Sequence, residues 1–116
     1  MLDLTNHSLR TRDIRKIVEQ SAINIQWDEG FDTDNEWVHL DDVKTQTWLH
    51  SKKIDSSELL FCTDPSWSHT AIESWYQVTS NLDELLDKGF SKFISRHRLW
   101  LLEVHPIKVA RFGYWR

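Results

Sequence analysis

Three glycines (Gly30, Gly89, Gly113) and two prolines (Pro65, Pro106) are the only strong backbone punctuation in a chain of 116 residues. Gly and Pro are the residues that most readily end an element or turn the chain. With so few, the boundaries of helices and strands must come from capping side chains and from changes in the spacing of apolar residues. No Pro/Gly/Ser-rich linker, internal repeat or low-complexity tract divides the chain, so a single domain over residues 1–116 is expected.

The apolar spacing changes several times. Ile14, Ile17, Val18 and Ala22 recur at helical intervals opposite Arg12, Arg15, Lys16 and Glu19. This predicts a helix over about 9–20, with Ser8 or Thr11 as its N-cap. Ile23, Ile25 and Trp27 alternate with Asn24 and Gln26, the pattern of a strand, and Asp28-Glu29-Gly30 reads as a turn. Residues 41–53 fit either element: Asp41 and Asp42 against Lys52 and Lys53 suit a helix dipole, and this favours helix over the competing alternation. Glu58–Thr63 is a short apolar strand ending at Asp64-Pro65, and Ile72, Tyr76 and Val78 suggest one face of another.

Asn81-Leu-Asp-Glu84 has the form of a capping box, with Lys88-Gly89 closing the helix. Residues 91–95 read as a further helical turn. Residues 98–104 and 107–115 read as two final strands, with Gly113 marking a bulge or an edge. The expected fold is α+β, with a mainly antiparallel sheet of about four to five strands and two to three helices on one face.

Composition narrows the class. With 40% hydrophobic and 28% charged residues, the chain falls in the globular range. One cysteine, Cys62, excludes an internal disulfide framework and suits a reducing, cytoplasmic setting. No apolar run approaches the ~20 residues of a membrane helix. The N-terminus lacks the basic and apolar regions of a signal peptide.

The net charge of −4 hides an asymmetry: residues 1–87 carry 17 acidic and 7 basic side chains, whereas residues 88–116 carry 7 basic and 1 acidic. Asp28, Glu29, Asp32, Asp34, Glu36, Asp41 and Asp42 follow one another without an intervening Lys or Arg. A run of this kind is a solvated loop or a surface that draws in a cationic partner. Trp37 and Phe31 would be its apolar anchors. The alternation Asp32-Thr-Asp34-Asn-Glu36 is not a calcium loop, because the required glycine and terminal glutamate are out of place.

Seven tryptophans are an unusual number for this length. Trp27, Trp75 and Trp100 are expected in the core. Trp37, Trp48 and Trp67 stand in polar contexts that suit either partner contact or packing under a loop.

Catalytic patterns are few. Cys62 and His69 lie near each other, but Cys62 belongs to an apolar run and reads as a buried thiol. The six histidines form no zinc framework, glycine-rich phosphate loops are absent, and no cofactor is expected. His97, Arg98 and His105, with Arg96 and Arg111, could exchange protons and hold a phosphodiester, the equipment of a metal-independent ribonuclease or RNA-cleaving toxin. The acidic remainder of the chain opposes nucleic-acid binding.

The leading expectation is a protein-binding inhibitor that covers a basic toxin, possibly a nuclease, through Asp32, Asp34, Glu36, Trp37, Asp41 and Asp42. In surface character this is similar to the immunity proteins of bacterial toxin systems, an analogy with no motif behind it. A self-associating regulatory subunit is a further alternative.

Overall fold

A computed structural model describes residues 3–6, 8–28, 36–40, 44–105 and 107–116. The order is α1 (Thr11–Ser21), a 3-10 turn (Ala22–Asn24), β1 (Ile25–Trp27), β2 (Val38–His39), α2 (Thr45–His50), β3 (Leu59–Thr63), β4 (Thr70–Ser74), α3 (Trp75–Ser80), α4 (Leu82–Asp87), β5 (Lys92–Ser95), β6 (Trp100–His105) and β7 (Val109–Trp115). The seven strands form one sheet, ordered β1-β7-β6-β5-β3-β4, with β2 pairing β7 beyond the end of β1. Every pairing is antiparallel. The α+β antiparallel expectation holds, with a larger sheet and one more helix than the sequence pattern suggested.

Both faces of the sheet are covered, which corrects the expectation of helices on one face. Leu60, Cys62, Phe93, Trp100, Leu102, Val104, Ala110 and Phe112 point to one side, where α2, α3 and α4 contribute Trp48, Leu49, Trp75, Val78, Leu82 and Leu85. The alternate residues Phe61, Ile94 and Leu101 point to the other side. They meet Ile14 and Val18 of α1, together with Leu4 and Trp67.

Four local expectations change. Residues 75–80 are helix rather than strand, because Ser74 and Gln77 form a reciprocal capping box that starts α3 immediately after β4. Residues 92–95 are strand rather than helix, since β5 lies between β3 and β6 and buries Phe93 and Ile94 on opposite faces. The helix over 11–21 starts after Arg10 with no side-chain cap from Ser8 or Thr11, and Ile23 lies in the following turn, 90% exposed. Asn81 makes no side-chain cap to α4, although Gly89, at φ 97°, closes that helix as expected.

Gly113 marks neither an edge nor a bulge. It pairs with Leu101 on one side and Trp27 on the other. A Cβ there would lie 2.6 Å from Ile25 Cγ2 and 2.8 Å from the Trp27 ring, so the glycine admits β1 to the sheet. Residues 45–50 are helical, as the charge pattern favoured.

Candidate functional site

The outer edge of β7 is shared by two short strands from the acidic part of the chain. Ile25, Gln26 and Trp27 pair with its C-terminal half, and the Asp28 amide donates to the Phe112 carbonyl at 2.7 Å. The chain rejoins the same edge at Val38, opposite Ala110, and at His39, opposite Val109. The Leu40 amide then donates to the Lys108 carbonyl at 3.0 Å. β2 therefore fastens Val38, His39 and Leu40 beside the tip of the β6–β7 hairpin. Asp32 and Asp34 belong to the chain between β1 and β2, and Asp41 and Asp42 to the chain between β2 and α2. These four carboxylates lie outside the described residues.

The described carboxylates of the stretch each meet a cation of the fold. Lys52 Nζ lies 2.9 Å from Asp28 Oδ2, with the Lys52 side chain only 8% exposed and its charge over the rings of Trp48 and Phe112. Arg111 Nη1 donates to Glu36 Oε1 at 2.7 Å, and Nη2 to Glu103 Oε1 at 3.4 Å. The Arg111 guanidinium stacks 3.7 Å from the Trp27 ring centre and 4.5 Å from that of Trp37. A guanidinium held by two carboxylates and two indoles is restricted in plane and position. Trp37 also sets its ring edge-on to His105, with centroids 5.2 Å apart. Glu36 and Trp37 of the acidic set thus join Arg111 and His105 of the basic set in one cluster at the sheet edge.

The same side of the sheet continues as a ladder of alternating charge. Lys92 pairs with Glu103, and Glu103 with Arg111, across adjacent strands. Lys92 Nζ also stands 5.5 Å above the Trp67 ring.

His97 and Arg98 are at the opposite end of β6 from this cluster. They occupy the β5–β6 turn, whereas His105 ends β6. The length of β6 alone separates them by roughly 17 Å. The hairpins do not bring the two imidazoles together, so His97, Arg98 and His105 do not form one proton-transfer site.

Trp48 and Trp67 are packed inside, at 6% and 5% exposure, as are Trp75 and Trp100. Trp27 and Trp37 are half-buried. Trp67 reaches its place through a left-handed backbone (φ 59°) in the β3–β4 loop. The Asp64 carboxylate organises this loop by accepting from Ser66 Oγ, Ser68 Oγ and the His69 amide. Desolvation opposes ionisation of Asp64, but these hydrogen bonds outweigh it and hold the carboxyl below the usual range.

Cys62 is fully enclosed; burial, reinforced by Glu73, pushes its thiol up to about 12. Such a thiol is unreactive at neutral pH. Among the described residues, no group of three or more His, Cys, Asp or Glu is arranged to hold a metal ion. No described helix is long and apolar enough to cross a membrane.

A cavity of about 290 Å³ lies between the end of α4 and the β6–β7 turn, lined by Leu86, Phe90, Ser91, Val104, His105 and Lys108, among others. Its walls come from residues far apart in the chain, so no local pattern announces it. Comparison with protein-family models, curated proteins and solved structures finds no match.

Proposed function

We propose that this chain is a protein-binding inhibitor of the immunity or antitoxin kind. It would neutralise a basic partner, such as a toxic nuclease, through the surface rooted at β2. The carrying observation is the fastening of Val38 and His39 to β7. Both carboxylate-bearing segments, with Asp32 and Asp34 in one and Asp41 and Asp42 in the other, begin or end at this two-residue strand. Carboxylates close together in sequence raise the encounter rate with a cationic protein. Trp37 and the exposed Ile107 stand at the same corner to supply apolar contact.

Glu36 has a different role from the other carboxylates in this reading. Its ion pair with Arg111 positions Trp37, so Glu36 supports the surface from within. The docking charges are those of Asp32, Asp34, Asp41 and Asp42.

The immobilised chain is the bait for a lysate of its native cell, compared with an Asp32→Lys/Asp34→Lys/Asp41→Lys variant that leaves Glu36 intact. A basic protein retained by the native chain and lost from the variant supports the proposal. Equal retention on both overturns it. So does cleavage of RNA by the purified chain in EDTA if that cleavage disappears on His97→Ala.

A further inference from the structure

β4 is an outermost strand of the sheet and bonds to β3 alone. The Asp64 amide donates to the His69 carbonyl at 3.3 Å and the Trp75 amide to the Glu58 carbonyl at 2.8 Å, which fixes the phase of the β3–β4 ladder. Bonded pairs recur at every second residue of an antiparallel ladder, so Ala71 and Glu73 bond to their partners Cys62 and Leu60. The backbones of Thr70, Ile72 and Ser74 therefore turn away from β3. The Ser74 amide is taken by Gln77 Oε1 at 3.0 Å. Among the described residues, the outward N–H and C=O groups of Thr70 and Ile72 have no hydrogen-bond partner. An open row of this kind is completed by another extended strand.

The free groups select one self-pairing. In an antiparallel two-fold pair centred on Ala71, Thr70 of one copy lies opposite Ile72 of the other, and each such pair exchanges both N–H···O bonds. Centring on Ile72 would instead oppose Thr70 to Ser74, whose amide is occupied. The side chains agree with the first register. Ile72, 41% exposed, shares the α1 face with its partner Phe61. Opposite Thr70 of the other copy it stands beside a groove of about 320 Å³ lined by Leu4, Leu9, Ile14, Phe61 and Thr70. On the other face, where the His69 ring stacks on Phe90, Glu73 of one copy comes opposite His69 of the next. A carboxylate then meets an imidazole at a position without backbone bonds, where opposed side chains are closest. We propose that β4 pairs with β4 of a second copy of this chain, Thr70 opposite Ile72, joining the two sheets into one. β4 and β2 lie at opposite ends of the sheet order, so this dimer does not rest on the protein-binding reading above.

The full chain is followed by sedimentation velocity and by amide hydrogen exchange between about 10 µM and about 1 mM, the range of a small, weak interface. A reversible dimer is expected, and with it about tenfold or greater slowing of exchange at Thr70 and Ile72, while Ala71 and Glu73 are protected at every concentration. Ile72→Pro deletes an outward N–H and leaves the β3–β4 bonds in place, so it should weaken the dimer at least about tenfold. Glu73→Lys should weaken it about threefold, and adding His69→Glu should restore it. A monomer throughout the range overturns the proposal, as does a dimer whose Thr70 and Ile72 amides exchange at the monomer rate. No recovery in the double variant overturns the register. If Ile72→Pro fails to fold, the exchange of the native chain still decides.

Discussion

The two faces of the sheet solve the covering problem in different ways. Under α2, α3 and α4 the face is almost wholly apolar: Trp75 meets Trp100 edge-on at 5.2 Å, and Trp100 stacks on Phe112 at 5.4 Å. Under α1 the apolar region is smaller and gives way to the Lys92–Glu103–Arg111–Glu36 ladder, where Trp27 and Trp37 lie against a guanidinium. Tryptophan is thus used as core material on one face and as a support for charge on the other. An unusual count of tryptophans does not by itself indicate a binding surface; what surrounds each ring decides its role.

Truncation at the two faces should have unequal costs. Trp100→Ala removes the central ring of the apolar face and is expected to cost about 3–5 kcal/mol in urea unfolding, with loss of the cooperative transition an acceptable extreme. Arg111→Ala removes two charge-assisted hydrogen bonds and the guanidinium's contacts with two indole rings at a partly exposed site, and about 2 kcal/mol is expected from the same measurement. Equal costs would erase the distinction between the faces.

Cys62 reports on the apolar face alone. A thiol raised to about 12 and fully enclosed should react with an aromatic disulfide reagent only as fast as the sheet opens. Rapid labelling of the native protein at neutral pH would contradict the packing described. The smallest effect belongs to the loop that carries Trp67 onto the opposite face. The Asp64 carboxyl is depressed in the folded state, so its stabilising contribution is present above the ordinary carboxylate pKa and fades as pH falls through the lower folded value. Asp64→Asn should therefore be less stable than the native chain at pH 7, with the gap narrowing in acid; a pH-independent gap would exclude the ionic role.

Much of the fold was legible because single-residue spacing carried it. Ile14 and Val18 at four-residue separation gave α1, and the compact run Leu59–Thr63 gave β3. The Trp75–Ser80 helix was missed because Tyr76 and Val78 also alternate, and the Ser74–Gln77 capping box outranked that pattern. β2 is two residues long and has no period to read. At the site, Glu36 and Trp37 were legible as acid and ring, and Arg111 and His105 as base. Their union was not, since Glu36 and Arg111 are 75 residues apart and meet only when β2 joins β7.

The proposed docking charge is that of Asp32, Asp34, Asp41 and Asp42, acting on a basic protein. Its most direct test is the salt dependence of affinity, measured by calorimetry between the captured partner and either the native chain or the Asp32→Lys/Asp34→Lys/Asp41→Lys variant. About a hundredfold weaker binding at low salt is expected for the variant, with a markedly flatter dependence on ionic strength. Matching affinities and matching slopes would contradict it.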